Sequence, residues 1–140
     1  MTKYSQIEIV ENIICDYFII SSESLIDRSR KRNIIEARQI FHYFMRNYTN
    51  FSFKSIGEYK NIGFDFNTIR HSIITVNNRI DTEKEYREKI ELLDSMIKDR
   101  IEIECFQTLA DNSYKNQLIK EIINAKTING IKIILQNRLN

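Results

Sequence analysis

Apolar residues recur at steps of three and four along most of the chain, which is the spacing of one buried face of an α-helix. The clearest series starts near residue 33 and consists of Ile34, Ala37, Phe41, Phe44 and Tyr48. A second series consists of Ile69, Ile73, Val76 and Ile80. Shorter series predict a first helix over residues 5–18, where Ser5 and Glu8 fit a capping box, and another from residue 83 to about residue 100.

Polar positions between the two clearest series predict a short helix and a turn. Residues 49–50 break the long helix, and Ser52 is suited to cap a short helix that reaches about residue 59. In that helix Gly57 permits a crossing helix to approach closely. In the turn Gly63 can take a positive φ, and Asp65 can cap the following helix by accepting backbone N–H bonds. A helix–turn–helix arrangement follows.

The last forty residues predict a separate helical appendage. One apolar stripe consists of Tyr114, Leu118, Ile122 and Ile123, and after a break a second consists of Ile128, Ile131, Ile134 and Leu135. We therefore expect a first domain over residues 1–100 and a helical C-terminal extension over residues 101–140.

Composition favours an all-α fold, a helical bundle. The 140 residues contain no proline and only three glycines, so long helices meet few breakers and tight hairpin turns lack their preferred residues. No apolar run approaches the roughly 20 residues that a membrane helix needs. The amino-terminal residues lack a signal-peptide pattern, so we expect a protein that stays in the cytoplasm and has no membrane partner.

The reactive side chains give no sign of catalysis. The two histidines are far apart in the sequence, and Cys15 and Cys105 lie in apolar stretches without a C-x-x-C spacing. Reduced thiols are therefore expected in place of a disulfide or a zinc site. Without a nucleophile–base pair or a metal cluster, we expect no enzyme activity, no metal and no cofactor.

Charge is distributed unevenly, although the formal net charge is only +2. Residues 28–54 contain seven bases and one acid, a local charge of +6, whereas residues 81–104 contain nine acids and five bases, a local charge of −4. Such asymmetry indicates a cationic face for a polyanion. The alternative is a solvated helical surface whose charges happen to cluster.

Three motifs follow one another in a fixed order. They are Ala37-Arg38-Gln39, then Thr49-Asn50-Phe51-Ser52 with Ile56-Gly57, then Gly63-Phe64-Asp65-Phe66-Asn67-Thr68-Ile69-Arg70-His71. In this order, after a basic run, they make residues 6 to about 98 resemble the C-terminal DNA-binding domain of the bacterial replication initiator DnaA. The chain departs from that family at Phe66, where the family has histidine, at Asn67, where it has serine or threonine, and in a turn one residue longer.

The resemblance implies a role for individual residues. Arg30 corresponds to a loop arginine that enters a minor groove. The predicted phosphate contacts are Arg38, Gln39, Arg46 and Lys54, and the matches to base-facing positions are Asp65 and Thr68. From the residues themselves, Asn67 can bond adenine and Phe66 can pack on a thymine methyl. We add Arg28 and Arg32 as further cations for DNA, and Arg70 as a further candidate to read base edges.

These observations predict a double-stranded DNA-binding protein that acts in replication initiation or in transcriptional control. The chain contains no G-x-x-x-x-G-K-[ST] loop, so we do not expect the family's ATPase module here. We expect a stand-alone DNA-binding protein. The alternative is a helical interaction module that kept the fold, lost DNA binding and holds a protein partner through residues 101–140.

Overall fold

All regular secondary structure that the computed structural model describes is helical, which confirms the all-α prediction for residues 2–61, 63–124 and 135–138. The helices are α1 (Lys3–Phe18), α2 (Ser22–Ile26), α3 (Arg32–Tyr48), α4 (Phe53–Glu58), a 3-10 turn (Tyr59–Asn61), α5 (Phe66–Thr82) and α6 (Lys84–Asn124). Residues 135–138 are also helical. The second predicted stripe of the appendage lies, apart from Leu135, outside the described residues.

The chain divides into two compact units, Met1–Glu102 and Ile103–Asn140. The division into a DNA-binding domain and an appendage at residue 100 stays a prediction. Among the described residues, no helix is both long and apolar enough to cross a membrane.

Two predicted helix ends are wrong. The first helix begins at Lys3, and its cap is Thr2, whose Oγ1 accepts a hydrogen bond from the Ser5 backbone N–H at 3.2 Å, so Ser5 lies inside the helix. The last long helix does not end near residue 100 but continues to Asn124. Since residues 84–124 contain no glycine or proline, the end of the apolar face at Ile97 did not end the helix.

Helix α3 is central to the first unit, because α1 and α5 both pack against it. Its predicted inner face is buried at Ile34, Ala37, Phe41 and Phe44. The core also includes Ile7, Val10 and Ile14 of α1, Ile69 and Val76 of α5, and Leu93 and Ile97 of α6. This apolar burial is the main stabilising term of the first unit.

Glu11 of α1 is a buried carboxylate, only 2% exposed, which holds the turn after α4. Its Oε2 accepts a hydrogen bond from the Tyr59 hydroxyl at 2.9 Å, and its Oε1 lies 2.7 Å from the Lys60 ammonium. Lys60 has a positive φ of 52°, a conformation unusual for a residue with a side chain. Two hydrogen bonds to one buried acid thus stabilise the turn.

Gly57 allows the turn to fold back onto α4. Its carbonyl accepts a hydrogen bond from the Phe64 N–H at 3.2 Å, and a Cβ at Gly57 would lie 2.0 Å from the Phe64 carbonyl oxygen. The close approach predicted for a crossing helix is therefore made by the turn, with Cγ1 of Ile69 in α5 at 3.6 Å. Gly63 has the positive φ that was predicted, 68°.

His42 is buried between α3 and α5. Its Nδ1 lies 3.2 Å from the Ser72 hydroxyl, which donates its one hydrogen to the Thr68 carbonyl at 3.0 Å. Nδ1 of the neutral imidazole is therefore the donor to Ser72. Burial, with a smaller contribution from the nearby Arg38 charge, lowers the pKa of His42 to about 3.

We expect Gly57→Ala to lower the free energy of unfolding by about 1–3 kcal/mol, because the added methyl collides with backbone atoms that cannot rotate away. Gly63→Ala is the matched control. Unlike Gly57→Ala it strains a positive φ, but beyond its two chain neighbours no atom lies within 4 Å of its added Cβ, so it causes no collision. Urea unfolding monitored by circular dichroism compares the two, and an equal or larger loss for Gly63→Ala would contradict the collision.

We expect the first unit to lose stability as the pH falls below the ordinary histidine pKa of 6.5. The folded state keeps His42 neutral and the unfolded chain takes up the proton, so the stabilisation is complete above this pH and declines as the pH falls towards 3. Between pH 7.5 and pH 5 the loss amounts to about 2 kcal/mol. Urea unfolding across this range should show it, and His42→Gln should remove it. An equal pH dependence in that variant would assign the effect to another group.

Candidate nucleic-acid interface

Helices α4 and α5 with the turn between them form the predicted helix–turn–helix. The N-cap predicted at Ser52 is confirmed, since its hydroxyl accepts from the Ser55 N–H at 3.1 Å. The N-cap at Asp65 is confirmed as well, because its Oδ1 accepts from the Thr68 N–H at 2.7 Å. This bond is the main reason why the pKa of Asp65 lies below its usual value. A carboxylate therefore stands at the start of α5.

The amino end of α5 is open to solvent. Phe66 is 53% exposed, and Asn67, Thr68 and Arg70 are exposed, whereas Ile69 is buried in the core. The α5 backbone is thus fixed from one side, and short polar side chains project from the other. This is the geometry by which a recognition helix presents its first residues to the edges of bases in a major groove.

Two adjoining clefts bring the amino end of α5 together with α3 and with the basic loop, residues 27–31. Both clefts are lined by Ile35, Arg38, Phe64, Asp65 and Thr68. The first adds Gln39, Asn67, His71 and Ser72, and the second adds Arg28, Ser29, Arg30 and Gly63. Most of the predicted site residues therefore share one surface, although they come from three segments of the chain.

The basic loop has a defined shape. The Asp27 carboxylate accepts a hydrogen bond from the Ser29 N–H, and the Ser29 hydroxyl accepts one from the Lys31 N–H at 3.3 Å. The Arg28 guanidinium lies 3.5 Å from the Gly63 carbonyl oxygen in the turn before α5. These bonds place the loop beside the helix–turn–helix.

Arg38, a predicted phosphate contact, is half-buried beneath the basic loop. Its guanidinium donates to backbone carbonyls of Leu25, Asp27 and Ser29. The guanidinium carbon also lies 5.2 Å from the centre of the Phe64 ring, within the range of a cation–π interaction. The contacts in the structure therefore join Arg38 to the protein itself, and its contact with phosphate stays a prediction.

Arg46 lies on the ring of Phe53, at the start of α4, and that ring in turn contacts Phe66, at the start of α5. Its guanidinium carbon lies 4.9 Å from the centre of the Phe53 ring, and its Nη1 donates to the Phe51 carbonyl. The Phe53 ring meets Phe66 edge-on at 5.0 Å. Sequence reasoning missed Phe53, because contacts between two helix starts leave no periodic signal.

The remaining predicted cations lie outside the two clefts. Lys54 is exposed and pairs with Glu58 at 3.9 Å, and Arg32 and Arg70 are exposed at the beginnings of α3 and α5. The predicted phosphate contacts at Gln39, Arg46 and Lys54 and the predicted base contacts stay predictions. In the parts of the chain that the structure describes, no group of three or more histidine, cysteine or acidic side chains could hold a metal ion.

Residues 7–79 match the model of a protein family described as the bacterial dnaA protein helix-turn-helix. The chain is 37% identical over 102 residues to the chromosomal replication initiator protein DnaA of Chlorobaculum tepidum. The aligned region covers 73% of this chain and 20% of that protein. It is 32% identical over 98 residues to DnaA of Bacteroides thetaiotaomicron, with 69% of this chain and 20% of the relative covered. The chain thus matches about a fifth of the length of these relatives. Because the family match includes more than half of the 140 residues, the chain belongs to the bacterial DnaA helix-turn-helix family.

Proposed function

We propose that this protein binds double-stranded DNA at specific sequences, through the surface formed by the basic loop, α3 and the amino end of α5. The observation that carries the proposal is the shared surface itself. Residues far apart in the sequence supply guanidinium groups, amides and hydroxyls to two adjoining clefts. Cations supply affinity for the phosphate backbone, and polar groups at a helix start supply base recognition.

The phosphate contacts belong to residues that surround the helix–turn–helix. Gln39 lines the first cleft, Arg46 is held on Phe53, and Lys54 lies at the start of α4. Arg28 and Arg32 flank Arg30, the residue that enters the adjacent minor groove. Each phosphate that these cations neutralise releases counterions, which makes binding depend steeply on salt.

The base contacts belong to the first turn of α5. Asn67 can make two hydrogen bonds to adenine, and Phe66 offers an apolar face to a thymine methyl. Asp65, Thr68 and Arg70 are the other candidates for base edges. The aromatic support of Phe66 by Phe53, at 5.0 Å, favours an apolar contact at the position where the family carries histidine.

In the cell we propose a role in replication initiation, because the relatives are named chromosomal replication initiator proteins. Control of transcription uses the same recognition step and is the second role. Because the sequence contains no phosphate-binding G-x-x-x-x-G-K-[ST] loop, we assign the DNA-binding step alone, without catalysis, to these residues. We propose separately that the protein acts in the cytoplasm.

Duplex binding measured by fluorescence anisotropy at several salt concentrations tests the proposal. Replacing Arg28, Arg30 and Arg32 with glutamine should weaken binding and should reduce the slope of log affinity against log salt by about 0.9 for each phosphate that is no longer neutralised. The matched control replaces Lys84, Lys115 and Lys120 with glutamine, which removes the same charge elsewhere.

An equal loss of affinity in both triple variants would show a nonspecific charge effect and contradict the proposed surface. A wild-type protein that fails to bind duplex DNA at low salt would favour the alternative, a helical interaction module with a protein partner held through residues 101–140.

Asn67→Ala should relax specificity at one base pair by about 1–3 kcal/mol, because it removes two hydrogen bonds to one base. Selection of bound duplexes from a random pool measures the change. The control is Asn77→Ala, an exposed residue farther along α5. If both variants select the same sequences as the wild type, Asn67 does not read a base.

A further inference from the structure

We infer that Arg38 contributes to DNA binding mainly by positioning the basic loop. In this position Arg30 can enter the minor groove while the amino end of α5 lies in the major groove. The inference rests on the proposed DNA-binding function. It differs from the phosphate contact that sequence resemblance implies for Arg38, because it assigns the guanidinium to the protein's own backbone.

The hydrogen bonds of Arg38 engage all three of its nitrogens. Nε donates to the Leu25 carbonyl at 3.1 Å, Nη1 donates to the Ser29 carbonyl at 3.4 Å, and Nη2 donates to the Asp27 carbonyl and to that of Ser29. A guanidinium has five N–H groups in a fixed plane. The four hydrogen bonds use four of these five, so a phosphate would have to compete with the carbonyls for more than one donor.

The location of the carbonyls explains why a cation is needed there. Helix α2 ends at Ile26, so the Leu25 carbonyl belongs to its last turn, where helix carbonyls lack partners and carry partial negative charge. Arg38 satisfies this carbonyl and also those of Asp27 and Ser29, on both sides of Arg28. It therefore fixes the path of the chain from α2 into the basic loop.

The face of the same guanidinium fixes the loop relative to α5. Phe64, next to the cap of α5, lies 5.2 Å from the guanidinium carbon, and its ring meets His42 edge-on at 5.6 Å. Arg28 adds a contact of 3.5 Å with the Gly63 carbonyl. The loop that carries Arg30 and the turn that precedes the recognition helix thus share one support.

Lysine at position 38 separates the two roles. Lysine keeps the positive charge and can bind a phosphate, but it lacks the planar set of donors that holds several carbonyls at once. We expect Arg38→Lys to weaken specific binding at least tenfold, to an extent close to Arg30→Ala. The double variant should bind within about twofold of Arg30→Ala, because a misplaced Arg30 contributes little.

The phosphate role predicts the opposite result. Arg38→Lys would then stay close to the wild type, and its effect would multiply with that of Arg30→Ala. Either of these results in the binding measurements overturns the inference.

A measurement without DNA tests the loop directly. Trypsin cuts after arginine and lysine, and the basic loop with the start of α3 offers Arg28, Arg30, Lys31 and Arg32. We expect Arg38→Lys to accelerate cleavage at these sites at least fivefold, as identified by mass spectrometry. The control is Arg79→Lys, which breaks a two-bond pair with Glu83 at 3.0 Å elsewhere in the unit and should leave cleavage in the loop unchanged.

Unchanged cleavage in Arg38→Lys, or equal acceleration in Arg79→Lys, overturns the positioning role. The two proposals fail separately. A wild-type protein that does not bind duplex DNA rejects the proposed function, whereas the trypsin comparison still decides whether Arg38 organises the loop.

Discussion

The backbone contact between Gly57 and Phe64 determines where the recognition helix starts. Phe64 can approach α4 this closely only because residue 57 has no side chain. Once its backbone is held there, its ring contacts both the Arg38 guanidinium and the His42 imidazole. The cap at Asp65 and the exposed residues that follow then take their positions from Phe64. Phe64 precedes α5 and contacts Arg38 and His42 of α3, and Arg38 in turn holds the basic loop. The basic loop, α3 and α5 therefore meet on one surface.

The electrostatic character of this surface depends also on contacts outside it. The only acid between residues 28 and 54 is Glu36, whose Oε1 pairs with Arg79 at 3.3 Å and with Lys89 at 3.0 Å. Its charge is therefore compensated by other helices and does not neutralise the basic loop. Asp65 adds a negative charge at the start of α5, which opposes phosphate at that point and suits a contact with a base amine.

The elements that sequence could predict are those with local causes. The apolar faces of α3 and α5 follow from helical periodicity, and the caps at Ser52 and Asp65 follow from short polar side chains before each helix. Most of the predicted site residues lie on one surface, because the order of the motifs along the chain predicts how the helices are arranged. The cap at Thr2 was missed because Ser5 fitted the same rule three residues later. The length of α6 was missed because its apolar face ends well before its backbone does.

The partners of Arg38, Glu11 and Phe53 could not be predicted for a different reason. Arg38 binds backbone carbonyls, which are the same for every residue type, so no sequence pattern marks them. Glu11 and Tyr59 are 48 positions apart, and such a pair is defined only when α1 has packed against α3. The sequence shows which chemical groups each residue carries, whereas the residues that it contacts are determined only by the tertiary fold.

The buried carboxylate of Glu11 makes the turn between α4 and α5 depend on a residue of α1. It anchors the turn through Tyr59 and Lys60, although Glu11 itself belongs to α1. A substitution at Glu11 would therefore loosen the segment between α4 and α5 from a position in the first helix.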